Sequence, residues 1–147
     1  MALAANPDQW DRLKQDRTLI DAAVEEILRW STPLMYMRRT AALDTELAGT
    51  EVAAGDKVVM WYSSANRDEG WFDQPERFDV GRITNEHQSF GGGGPHFCLG
   101  AFLARMELRI LLEGMLDRGI DLVQLGEPVR AASNFVHGVL SVEMGAR

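Results

Sequence analysis

The sequence predicts an α+β fold, mainly helical, with a small antiparallel sheet and a cysteine-bearing loop at the start of a long helix. Three observations carry this expectation. Apolar residues recur at helical spacing twice, at Ile20, Ala23, Val24, Ile27 and Leu28 and again at Leu99, Phe102, Leu103, Met106, Ile110 and Met115. Between these runs, residues 35–62 read as strands punctuated by turn signals. The only cysteine of the 147 residues, Cys98, follows the four glycines Gly91 to Gly94.

In chain order, Asn6-Pro7-Asp8-Gln9 predicts a helix start, with Asn6 as N-cap, Pro7 at the first helical position and Gln9 where a capping box places Glu or Gln. That helix ends before Thr18, which is expected to cap the next one, and Pro33 stops the second helix. On the second helix Glu26 and Arg29 are neighbours at three residues' spacing, and Glu25 and Arg29 at four. A solvated surface pair is the plain reading of such spacing. Strands follow at Met35 to Leu43, Glu51-Val52 and Lys57 to Tyr62, expected to form one small sheet, with turns at Leu47-Ala48-Gly49 and Ala53-Ala54-Gly55-Asp56. Residues 66–85 form a long irregular segment containing Trp71, Phe72, Pro75 and Phe78. The helix from Cys98 to about Arg118 is closed by Gly119, and the tail from Asp121 to Met144 reads as short strands.

Composition narrows the function. The chain has 22 acidic and 15 basic residues, a net charge of -7, which disfavours nucleic acid as a partner. No apolar run is long enough to span a bilayer and no signal peptide is visible at the N-terminus, so a cytoplasmic protein is expected. A single cysteine forms no internal disulfide.

Cys98 precedes a helix, where the macrodipole and unpaired N–H groups favour an anion and make a sulfur a ready metal ligand. Glycines before it let the backbone approach a flat partner closely. Zinc held by His87, His96, Cys98 and His137 is disfavoured, because these donors lack paired ligand spacing. A phosphate loop lacks its Gly-Lys-Ser/Thr, and a cysteine nucleophile lacks a histidine placed beside the sulfur. The plain structural alternative is a buried thiol.

Gly94-x-His96-x-Cys98-x-Gly100 with Phe90 before it and Leu103-Ala104-Arg105 after it resembles the cysteine-ligand loop of the cytochrome P450 haem-thiolate monooxygenases of bacterial type. Glu26-Ile27-Leu28-Arg29 resembles the family's Glu-x-x-Arg helix, and Pro75-Glu76-Arg77-Phe78 the segment whose arginine completes a Glu26, Arg29 and Arg77 cluster. The resemblance covers almost the whole chain and implies the C-terminal, haem-binding part of that fold over residues 1–147. Phe90 stands eight residues before Cys98, one more than in the commonest form of the motif. That longer loop, together with Ser133 to Gly138, is similar to actinobacterial members acting on sterols and branched lipids.

Residue by residue, the resemblance implies that Cys98 is the axial ligand of the iron in haem (iron protoporphyrin IX) and that Phe90, Gly91 and Gly100 shape the loop around the cofactor. It implies that His96 and Arg39 hold haem propionates, with Arg38 able to exchange roles with Arg39 and a surface charge as the competing reading. Leu34, Phe135 and Val136 match substrate-pocket positions, and Arg105 matches a site near the redox-partner face. The family's oxygen-activating helix, with its acid and threonine, has no counterpart here, so no catalytic residue is assigned. The implied activity is hydroxylation of a small apolar substrate such as a lipid or sterol, using dioxygen and electrons from a ferredoxin or flavoprotein reductase. A different class of reading is a non-catalytic remnant that binds haem weakly or acts as an interaction module, self-associating or pairing with an N-terminal half.

Overall fold

The structure, a computed structural model, describes residues 1–146. It opens with helices α1 (Ala2–Ala5), α2 (Pro7–Gln15) and α3 (Ile20–Ser31), with a 3₁₀ turn at Arg17–Leu19 between the last two. Pro7 takes the first position of α2, but Asn6 does not cap it. Its side-chain amide donates instead to the Ala2 carbonyl at 2.8 Å, which also accepts the Asn6 backbone N–H at 3.0 Å, so Asn6 closes α1. Gln9 likewise does not reach back; its side-chain oxygen accepts the Val80 N–H at 3.1 Å. Thr18 lies inside the 3₁₀ turn and therefore cannot cap α3. Asp16 caps the turn instead, its Oδ1 accepting the N–H and hydroxyl of Thr18 at 2.9 and 2.6 Å. Helix α3 ends at Thr32, which adopts left-handed φ of 37° immediately before Pro33.

Strands β1 (Tyr36–Thr40), β2 (Thr45–Leu47), β3 (Thr50–Val52) and β4 (Lys57–Trp61) follow. They form two separate antiparallel pairs, β1 with β4 and β2 with β3, where one sheet was expected. A bend at residues 42 and 43 turns the chain out of the direction of β1, so the β2–β3 hairpin shares no edge with it. After α4 (Tyr62–Ala65), residues 66–100 contain no helix or strand, and α5 (Ala101–Asp117) begins three residues past Cys98. The tail adds β5 (Leu122–Gln124), β6 (Val129–Arg130), β7 (Val139–Ser141) and β8 (Met144–Ala146), paired β5 with β8 and β6 with β7.

The core lies where α2, α3 and α5 meet, built on residues such as Leu13, Ala23, Leu28, Val80 and Leu112. Helix α5 buries Leu112, Met115 and Leu116 against it. Most of the apolar stripe read from the sequence faces out: Leu99 is 100% and Phe102 82% exposed, and Leu103, Met106 and Ile110 are exposed too, while Met115 is buried. The helix is apolar on two sides, and α3 covers only the other one. Among the described residues no helix is long and apolar enough to cross a membrane.

Candidate metal centre

Glu26 and Arg29 lie one turn apart on α3, and both are 0% exposed. Nε and Nη2 of Arg29 each donate to a different Glu26 oxygen at 2.8 Å, and Nη1 donates to the carbonyls of Asn66 and Pro75 at 2.7 and 2.9 Å. This is a buried pair, not the solvated one its spacing suggests. Glu26 also accepts the Asp79 N–H at 2.9 Å and the Asn85 amide at 3.0 Å.

A second guanidinium reaches Glu26, and it belongs to Arg82, whose Nε lies 3.1 Å away. Arg77, expected in that role, enters the cluster through its carbonyl, which accepts from Arg82 Nη2 at 2.8 Å and Arg29 Nη2 at 3.3 Å. Its own residue surface is exposed. The left-handed backbone at Gln74, φ 46°, and the bond from the Arg77 N–H to the Gln74 carbonyl make a turn that presents the Arg77 carbonyl to the cluster and leaves the side chain outside.

The cluster is joined to the cysteine loop by Asn66, whose amide donates to Thr32 Oγ1 at 2.9 Å and Ser89 Oγ at 3.0 Å. Its Oδ1 accepts the Gln88 N–H at 2.7 Å, and Ser89 Oγ donates to the Leu28 carbonyl at 2.8 Å. The root of the loop is thereby fixed to α3. Beyond it, Gly91, Gly93 and Gly94 take φ of 85°, 89° and 76°, a region L side chains rarely enter. The loop closes on itself: the Phe90 carbonyl accepts the Cys98 N–H at 3.0 Å and the Cys98 carbonyl accepts the Ala101 N–H at 3.2 Å.

Cys98 is exposed, which corrects the buried-thiol alternative. A Cβ on Gly100 would sit 3.9 Å from the sulfur, and one on Gly93 or Gly94 would meet nothing within 4 Å. Among the described residues no three His, Cys, Asp or Glu side chains gather to hold a metal ion. A flat macrocycle that brings its own equatorial ligands fits such a donor set: one accessible sulfur at a helix start, glycine beside it, and exposed Phe97 and Leu99 around it.

Glu25, one residue before Glu26, points to α5 and not along its own helix to Arg29. Its carboxylate accepts Arg105 Nε at 2.6 Å and Nη2 at 2.8 Å, and pairs with His87 Nε2 at 3.1 Å. Burial alone would raise the Glu25 carboxyl, but the hydrogen bonds and charges of His87 and Arg105 outweigh it and bring it from 4.5 down to about 2. The folded protein therefore binds this proton more weakly than the unfolded chain. The contact stabilises fully above pH 4.5 and is lost as pH falls to about 2. We expect Glu25→Gln to flatten that part of the acid limb, read as urea midpoints between about pH 5 and about pH 2.

Arg39 and His96 are both exposed, and among the described contacts none joins them. The Arg39 guanidinium donates to the neighbouring Arg38 carbonyl at 3.1 Å, and among the described residues no carboxylate pairs with it. It retains donors for a carboxylate. The three pocket positions do come together: Leu34 bridges Val136, and the Met35 N–H donates to the Phe135 carbonyl at 2.9 Å. Ser133 Oγ accepts the N–H groups of Phe135 and Val136 at 3.1 and 2.9 Å, shaping the turn that presents them. Sequence reasoning missed Asn66, Ser89 and Arg82. A buried asparagine carries no local pattern, but Arg82 stands in the same arginine-bearing segment as Arg77 and was within reach of a wider search.

A family model described as Cytochrome P450 matches residues 4–118. The methyl-branched lipid omega-hydroxylase of Mycobacterium tuberculosis is 51% identical over 140 residues, covering 95% of this chain and 33% of that protein. The steroid C26-monooxygenase of Rhodococcus jostii is 45% identical, over 95% of this chain and 29% of its own. The solved structure of cytochrome P450-153 from Novosphingobium aromaticivorans superposes with a TM-score of 0.94 at 48% identity, over 99% of this chain and 37% of that one. The chain thus spans about a third of the length of these relatives.

Proposed function

Because the chain belongs to the cytochrome P450 family, we propose that residues 1–147 supply the haem-binding, proximal side of a haem-thiolate monooxygenase, with Cys98 as axial ligand. The observation that carries this reading is the exposed Cys98 sulfur beside Gly100, on a loop rooted in the Glu26–Arg29 cluster. Haem ligated by a thiolate supplies the activation of dioxygen, the sulfur's electron density favouring O–O cleavage. The chain's own residues hold and orient it. Cys98 would supply the sulfur, Gly100 keeps bulk away from it, Gly91 lets the loop turn in the left-handed region, Phe90 packs beside the loop, and Arg39 and His96 would offer donors to the propionates. Leu34, Phe135 and Val136 provide an apolar surface for a small apolar substrate. The names of the relatives support a branched lipid or a steroid side chain as its class. Electrons come from a ferredoxin or flavoprotein reductase.

The test is to add hemin, reduce, expose to carbon monoxide and record the spectrum. A red-shifted Soret band of the thiolate type is expected; a band at the position of a histidine-ligated haem, or no binding, overturns the reading for this chain.

The uncovered stripe of α5 favours one addition. Taken alone, the 147-residue chain associates with a second copy through Phe102, Leu103, Met106 and Ile110. Sedimentation should give a species above monomer mass that Phe102→Glu shifts towards the monomer; a monomer for the unchanged chain is the contrary result.

A further inference from the structure

Two arms run from one carboxylate to Phe90. Arg105, held by the two Nε and Nη2 bonds to Glu25, places its guanidinium carbon 4.6 Å from the centroid of the Phe90 ring. His87 binds the same carboxylate through Nε2, and its Nδ1 accepts the N–H of Ser89, the residue before Phe90, at 3.2 Å. The His87 ring itself lies 5.9 Å from Phe90 and is almost wholly buried. On its other side Phe90 meets Phe97 at 6.4 Å, and its carbonyl takes the Cys98 N–H. Glu25 therefore bears at once on the Phe90 ring and, through His87, on the backbone N–H of Ser89 just before it. The guanidinium fork is rigid, so its direction follows the carboxylate that holds it.

We propose that Glu25 is a positioning residue which, through Arg105 and His87, holds Phe90 against the Cys98 loop and so sets how readily the bound iron is reduced. This rests on the reading of Cys98 as the haem ligand. A displaced ring changes both the shielding of the ligand and the carbonyl that fixes the Cys98 backbone, and such outer contacts tune a metal's potential.

The experiment measures the midpoint potential of the haem-loaded protein for wild type, Glu25→Gln, Arg105→Met, Phe90→Leu and each of the first two combined with Phe90→Leu. Each single variant is expected to shift the ferric-to-ferrous equilibrium about tenfold, 59 mV for one electron. Each double variant is expected to shift no further than Phe90→Leu alone, the mark of action through that ring. Glu25→Gln and Arg105→Met remove opposite charges. Shifts of opposite sign that persist in the Phe90→Leu background are therefore direct electrostatics and overturn the proposal. So do unchanged potentials in both. Should Arg105→Met fail to take up haem, the near-isosteric Glu25→Gln completes the cycle. Absence of the red-shifted carbon monoxide band in wild type is a different failure, which removes the ligand reading and the proposal with it.

Discussion

Replacing Glu26 by Gln or Arg29 by Met costs about 3–5 kcal/mol of folding free energy, because either change removes one partner of a fully buried ion pair and leaves the remaining charges unbalanced. A domain of this size has on the order of 5–15 kcal/mol in total, so the loss takes the protein close to its unfolding threshold. Arg29 is the more severe site. Its five donor contacts reach Glu26 and the carbonyls of Asn66, Pro75 and Arg77, so its removal takes two donors from the carboxylate and the side-chain donor from each of the Asn66 and Pro75 carbonyls, while Arg82 still serves the Arg77 carbonyl. Arg82→Met removes one of the three guanidinium hydrogen bonds to Glu26 and costs about 2 kcal/mol, within the range for a hydrogen bond to a charged group. Arg77→Ala leaves the contributing carbonyl in place and changes stability by no more than about 0.5 kcal/mol, as an exposed substitution does. Chemical denaturation at constant m-value ranks the four. An Arg77→Ala variant as unstable as Arg82→Met refutes the assignment of the second guanidinium.

Cys98→Ala removes the red-shifted carbon monoxide band completely while leaving the denaturation midpoint within about 0.5 kcal/mol of wild type. The two expectations separate because the thiol is exposed and the loop is held by other groups, the Phe90 carbonyl, Ser89 and Asn66. Cys98→Ser gives the same spectrum as Cys98→Ala, since a hydroxyl does not replace a thiolate as a soft ligand. Spectra and urea melts on the same samples decide it. A red-shifted band surviving in either variant excludes Cys98 as the ligand.

What the sequence disclosed depended on how local each feature is. Cys98 was legible because a lone sulfur between a glycine run and a helix is chemically conspicuous. Glu26 and Arg29 were legible as neighbours, but their burial was not, since spacing says nothing of what closes over a helix face. The exchange of Arg77 for Arg82 turns on one left-handed residue, Gln74, which no pattern marks. The strands were found and their partners misjudged, because pairing depends on where the chain bends. On α5 periodicity located the helix; which side is covered depends on its neighbours, both sides being apolar. Asn66 was invisible: its role exists only through partners up to 37 residues away.

That last distance bears on how the molecule assembles. Arg29 meets Asn66 across 37 residues, Ser89 meets Leu28 across 61, and Arg105 meets Glu25 across 80. Closing such loops costs entropy before any contact repays it, so partners this remote in sequence form slowly and together. During synthesis α3 emerges with three acidic side chains, Asp21, Glu25 and Glu26, whose partners Arg109, Arg105 and Arg82 have not yet been made. The frame around Cys98 cannot be completed from the loop's own residues. It needs Arg105, which reaches back to Glu25 from the helix that follows the loop.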